Sequence, residues 1–313
     1  LQPRDYLSMY ILITGLGLGF VSLLIMHPAI NGPALVTLDS PKGPLWPILF
    51  ITVACGAVSG FHSVVSSGTS AKQLRRESDG RKVAFGGMLT EGALATVVIL
   101  LMASVLYWAI PPTEDLSGFV FQSLLSEKGP NITFGTAMGR VMESVGIPLV
   151  YGTAFGVLML NAFILTTLDT CTRLTRFIVT ETVGKKARLL GNRYVATAAG
   201  LVVAYLLTLG HSGETLWPAF GAANQLIAAL SLLVGSAYIF GFKRKTAFTL
   251  IPGIFMLITT EAALFYQLIW QYIPANNVVL GVIAVVLMIL GVVIAFEVYK
   301  RFRRPAAPAA AGG

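Results

Sequence analysis

Apolar residues fall in eight long blocks along the chain, at roughly 6–26, 44–70, 83–109, 147–169, 194–210, 215–240, 247–270 and 277–299. Each approaches or exceeds the ~20 residues that a helix needs to cross the hydrocarbon core of a bilayer. A block such as 278–296 shows no strict alternation of apolar and polar positions, so the pattern predicts helices and not barrel strands. Lipid offers a backbone no hydrogen bonds, and a helix satisfies its own. The pattern therefore predicts an all-α integral membrane protein, a bundle of about eight transmembrane helices forming one polytopic domain over residues 1–304. Residues 305–313 are a Pro/Ala/Gly tail expected to be disordered.

Composition sharpens this reading. The chain is 55% apolar and 12% charged, where a soluble domain is ~25% charged. Its net charge of +8 would suggest nucleic acid if it formed a patch, but it does not. Arg4 and the groups at 72–82, 173–193, 243–245 and 300–304 hold 19 of the 22 basic residues. They occupy alternate loops, as the positive-inside rule expects. The other loops carry Asp39, Glu114, Asp115, Glu127 and Glu214 with only Lys42 and Lys128. Eight crossings with both termini cytoplasmic follow, and no nucleic-acid partner is expected.

Little else in the sequence suggests covalent chemistry. Cys55 and Cys171 form no disulfide framework, and His27, His62 and His211 are scattered. No metal, phosphate-loop or nucleophile-elbow motif is present, so neither an enzyme nor a metal or other cofactor is expected. After the long connection 111–131, Ile132, Phe134, Met138, Val141, Met142 and Val145 recur at helical spacing. They predict a short interfacial helix. Gly15/Gly19, Gly56/Gly60 and Gly152/Gly156 are small-xxx-small pairs that suit close helix contacts.

The most informative stretch is 54–72, ACGAVSGFHSVVSSGTSAK, which follows an apolar lead-in at 46–53. Gly56, Gly60 and Gly68 each weaken a helix by ~1 kcal/mol relative to Ala. The whole segment is longer than one span requires. Both facts suit a discontinuous helix, a feature tolerated at membrane depth only where it is buried in protein or lines a cavity. The expected interruption lies between Ser59 and Thr69. Ser59, Gly60, His62, Ser63, Ser66, Ser67 and Thr69 are the candidate groups for substrate or ion. The competing reading is a straight helix whose Ser and Gly pack against neighbours.

Two further stretches carry polar groups. In 214–225, Pro218 and Gly221 precede Asn224 and Gln225 at the start of an apolar run. The amides are either further site residues or interhelical hydrogen-bonding groups. In 161–173, Asp169 and Arg173 share a helical face, and Asn161 and Thr166 extend a polar path from them. An ionisable group in a span is a functional candidate, yet an Asp–Arg pair at a membrane edge also serves as an anchor. Asp169 comes first and Glu91 second as proton-coupling candidates; Glu261 is a further candidate with weaker surroundings.

Five blocks, LQPRDYL (1–7), CGAVSGFHSVVSSGTSAKQL (55–74), GGMLTEG (86–92), TTLDTCTRLTRF (166–177) and LWPAFGAANQLIAAL (216–230), resemble the carbon starvation protein A family of bacterial inner-membrane transporters. Ser70 and Cys171 stand where Thr and Ala would be expected. The resemblance implies a proton-coupled importer of small organic nutrients, with peptides and pyruvate as substrate classes. It implies a broken-helix, LeuT-like fold, and a partner in a further N-terminal membrane region of the same protein. The opening Leu1-Gln2-Pro3, with no initiator Met, is consistent with a C-terminal portion of a longer chain. The competing functions are a non-transporting membrane sensor or scaffold, and an intramembrane enzyme using His62 with a Ser or Asp.

Overall fold

The computed structural model describes residues 2–34, 39–40, 43–53, 58–108, 113–184, 187–209, 213–242 and 244–303. Cys55, Gly56, His211 and the 305–313 tail lie outside them. The chain forms two compact units, one of Leu1–Val36 with Arg75–Gly200 and one of Thr37–Leu74 with Leu201–Gly313.

In the first unit, α1 (Gln2–Met26) is followed by α4 (Glu77–Leu100), which ends in a π-type turn, Leu101–Val105. The carbonyls at the end of a helix lack partners of their own. Here the loop after α1 supplies them: Asn31 N–H and Gly32 N–H donate to Ala103 O, and Asn31 Nδ2 donates to Ser104 O, each at 2.8 Å. Trp108 Nε1 donates to Met102 O at 2.8 Å. Next come α5 (Phe121–Met142), α6 (Leu149–Thr182) and the first half of α7 (Arg193–Thr208). α5 changes direction at Gly129, whose φ of 77° and ψ of 172° suit only glycine.

The expected interfacial helix is buried instead. Ala137, Met138, Val141 and Met142 on α5 are almost wholly enclosed, in a core shared with Val97, Leu101 and Met159. Glycines make this possible. A Cβ on Gly156 would lie 2.9 Å from Gly135 Cα, and one on Gly152 only 2.8 Å from Gly139 Cα. Backbone therefore meets backbone along a four-glycine seam between α5 and α6. α1 packs beside them, with Gly15 against Met159 and Gly19 against Val97 and Met138.

In the second unit, the region after a small hairpin (Asp39–Ser40 with Gly43–Pro44) forms two helical pieces. We call them α2, residues 45–53, and α3, residues 60–73. They are joined in space by α8 (Gly213–Gly241), α9 (Ala247–Tyr266, prolonged by a π-type stretch Gln267–Tyr272) and α10 (Val278–Arg303). Ile48, Ile51, Ala222, Ala263, Leu264, Tyr272, Leu280 and Ala284 form the core. Asn277 starts α10, its Oδ1 accepting from Leu280 N–H at 3.3 Å.

Six helices among the described residues are long and apolar enough to cross a bilayer: Pro3–Met26, Glu77–Val105, Leu149–Thr182, Leu216–Gly241, Ala247–Tyr272 and Val278–Arg303. Their outer faces are apolar and bare. Val150 and Tyr151 are 74% and 71% exposed, which suits contact with lipid and not water. Two of the eight expected stretches differ. Arg193–Thr208 has 16 residues, about 24 Å of helix against a core of about 30 Å. The 44–70 block is divided into α2 and α3.

Candidate functional site

The division of the 44–70 block places its polar residues. α2 ends at Val53, and Ser59 is extended, with φ −109° and ψ 128°. α3 begins at Gly60, and Ser59 caps it by accepting from His62 N–H at 3.4 Å. The interruption thus falls at the N-terminal edge of the expected interval, and residues 60–73 are then helical throughout, through a π-type turn at Ser66–Ser70.

Asn224 of α8 holds this start in place. Its Oδ1 accepts from Phe61 N–H at 2.7 Å and from Ser59 Oγ at 3.3 Å. The contact needs glycine at position 60. A Cβ there would lie 2.2 Å from Asn224 O and 2.8 Å from Ala228 N, both backbone atoms. One turn further on, Ser63 Oγ donates to Gly60 O at 2.7 Å and meets Ser231 Oγ at 2.8 Å.

Unused hydrogen-bonding capacity collects at the same place on α8. Asn224 is 3% exposed and Gln225 is 0%. Asn224 Nδ2 and both polar atoms of the Gln225 amide are buried without a hydrogen-bond partner. Buried polar groups in native proteins are nearly always bonded, so such a cluster calls for a reason. The contrast within the unit is informative. Gln267 is equally buried but satisfied: its Nε2 donates to Pro218 O, and its Oε1 accepts from Tyr272 Oη, each at 3.1 Å. Asn224 Nδ2 lies beside the N-terminus of α3, and the Gln225 amide follows it in sequence. That arrangement suits an acceptor-rich, negatively charged ligand group.

The structure thus brings Ser59, Gly60, Ser63 and Asn224 together, with Gln225 adjacent in sequence. Ser66 and Ser67 are exposed and return their hydroxyls to Ser63 O and Val64 O of their own helix. His62 is exposed, its ring edge against Phe61 with centroids 6.2 Å apart. Thr69 is half-buried on the π-type turn. Ser231, which pairs with Ser63, carries no sequence signal beyond its place on α8.

The coupling candidates of the first unit are arranged differently. Asp169 pairs with Arg173 at 3.0 Å and also with Arg4 at the start of α1. Its charge is matched by two guanidinium groups, the geometry of an anchor between α1 and α6. Asn161 Oδ1 accepts from Asn131 Nδ2 at 3.2 Å, and Thr166 Oγ1 donates to Phe163 O at 2.8 Å. The three residues therefore have separate local partners. Glu91 is exposed on α4.

These features define an all-helical, multi-pass membrane protein with a cluster of polar groups at the start of α3. The sequence profile described as Carbon starvation protein CstA matches residues 1–118 and 112–263, so the chain belongs to the carbon starvation protein CstA family. The Bacillus subtilis (strain 168) protein named peptide transporter CstA is 31% identical over 344 residues, covering 96% of this chain and 57% of that protein. The Escherichia coli (strain K12) protein named pyruvate/proton symporter BtsT is 32% identical over 343 residues, covering 84% of this chain and 47% of its own length. Peptide transporter CstA of the same E. coli strain is 32% identical over 325 residues, covering 84% and 46%. This chain spans about half the length of the curated relatives it matches. No solved structure matches it.

Proposed function

We propose that this chain forms the substrate-handling part of a proton-coupled secondary transporter in the bacterial inner membrane. Its substrates are small organic nutrients bearing a carboxylate, either peptides or pyruvate-like acids, taken up under carbon starvation. The reading draws on the relatives' names and on one observation: the start of α3 at Ser59–Phe61, held by Asn224, whose Nδ2 is left without a partner, with the unpartnered Gln225 amide next in sequence. Transporters bind charged substrates at the exposed ends of discontinuous helices, and α2 with α3 would be one such helix in a broken-helix, LeuT-like arrangement. Counting α2–α3 as one crossing and α7 as another gives eight, with both termini on the cytoplasmic side. The substrate carboxylate would accept hydrogen bonds from the two amide nitrogens, with the Ser63–Ser231 hydroxyls close by.

The test is flux. Proteoliposomes holding the native protein that carries this chain are offered labelled pyruvate, dipeptides and tripeptides under an imposed pH gradient. Accumulation driven by the gradient, lost when Asn224 is replaced by Leu, is the expected result. Binding of these compounds without flux would make the protein a sensor. Neither binding nor flux would remove the reading.

A further inference from the structure

Glu261 lies in the middle of the α9 span, on the second unit's packed interior. Its Oε1 is buried and has no hydrogen-bond partner. The space it fills exists because residue 291 on α10 is glycine: a Cβ there would fall 2.0 Å from Oε1. The other near neighbour of that point is Leu226 Cδ1 on α8, at 3.0 Å. Oε1 thus lies against Gly291, with Leu226 Cδ1 close to the same point.

Among the described residues of the elements packed around it, no opposite charge is at hand. The helical pieces packed against α9 are α2, α8, α10 and the π-type stretch that prolongs α9. α2 carries no ionisable residue. On α8 the only titratable side chain described is Tyr238, twelve residues beyond Leu226 and packed on Phe242. On α10 the ionisable groups are Glu297, Tyr299, Lys300, Arg301 and Arg303, all at least six residues past Gly291, or roughly 9 Å or more along the helix. Glu297 and Lys300 pair with each other at 2.9 Å. Of the tyrosines on α9 and its extension, Tyr266 stacks on Trp270 and Tyr272 bonds Gln267.

We infer that Glu261 is a proton-binding site, and that its protonation is the coupling event of the transporter. The coupling half of this inference rests on the transport reading above; the proton site does not. An ionised carboxylate oxygen without a partner in apolar surroundings is far costlier than a neutral one. A bound cation relieves that cost. A metal ion needs several oxygen ligands, whereas Gly291, against which Oε1 lies, offers no side-chain ligand. A proton needs only the carboxyl itself. The residue is half-buried and not sealed, so exchange does not require the helices to part. Among the carboxylates singled out from the sequence, Asp169 has two arginine partners and Glu91 is exposed, so Glu261 alone combines burial with an unmatched oxygen.

The experiment has two arms. In the first, the native protein in liposomes is treated with dicyclohexylcarbodiimide, which adds to protonated carboxyl groups in apolar surroundings, and is mapped by mass spectrometry across a pH series. An adduct on Glu261 that declines as pH rises is expected, with none in Glu261→Gln. Gly291→Ala should alter this profile without unfolding the protein, because the new Cβ meets only the tips of two flexible side chains. Absence of the adduct at every pH, or a yield indifferent to pH, overturns the proton site. In the second arm, Glu261→Gln should keep substrate counterflow but lose gradient-driven accumulation, leaving inside and outside concentrations equal. Gradient-driven accumulation in Glu261→Gln overturns the coupling role. A wild-type protein that shows the pH-dependent adduct but neither counterflow nor accumulation sinks the transport reading and leaves the proton site standing.

Discussion

Replacing Gln225 with methionine alters the chemistry of one buried side chain while nearly preserving its length and volume. The amide is 0% exposed, and neither of its polar atoms has a partner. Burying an amide unbonded costs about 1–3 kcal/mol on scales drawn from protein mutants. Methionine removes that cost and fills the same space, so the variant should be more stable by about that amount. Equilibrium unfolding in mixed micelles, with and without ligand, measures both consequences. In the wild-type protein, pyruvate or a dipeptide at a hundred times its dissociation constant should add about 2.7 kcal/mol. In Gln225→Met most of that increment should vanish although the empty protein is sturdier. Two results would refute the reasoning. A variant less stable by about 0.6 kcal/mol or more, the average worth of an interhelical hydrogen bond, would mean that the amide is bonded in the folded state. A variant with the full ligand-induced increment would mean that Gln225 does not meet the ligand.

Three other substitutions follow from the geometry. Gly60→Ala places a Cβ against the α8 backbone at 2.2 Å; it should cost about 1–3 kcal/mol as overpacking and weaken uptake. Gly17→Ala, with nothing within 4 Å, should be neutral or slightly stabilising in the same unfolding assay; equal stability of the two variants would contradict the packing described. Asp169→Asn should lower stability by about 1 kcal/mol, because half-exposed ion pairs near solvent are worth little, with the deficit shrinking at high salt, and gradient-driven uptake should persist.

The spans were legible in the sequence because length and hydropathy alone determine them. Six blocks became single apolar helices, and the density of Gly and Ser over 54–72 pointed to the segment that is divided. Which hydroxyls face the site was not legible. Ser63 meets Ser231 while Ser66 and Ser67 bond their own helix, a choice made by the position of α8. Asn224 and Gln225 stood out as amides in an apolar run, but their unequal hydrogen bonding appears only once α3 is placed. Asp169 had Arg173 four residues away, whereas its other partner, Arg4, is 165 residues distant. Glu261 was visible as a charge in a span, but the space that shelters it is defined by the missing side chain of Gly291. The helix over 132–145 was misread as interfacial because Gly135 and Gly139 only gain meaning opposite Gly152 and Gly156.

That glycine seam divides the chain by how much heritable change it can absorb. Every single-nucleotide change in a glycine codon that alters the residue adds at least a Cβ. At positions 139 and 152 such an atom meets the facing helix's backbone closer than 3 Å, with no flexible tip to give way. Gly86, Gly87 and Gly92 on α4, by contrast, have nothing within 4 Å. At the α4 glycines the described packing puts no atom in the way of a side chain. A change at the seam instead needs a second change across it in the same lineage. The two helices are therefore expected to diverge as a linked pair.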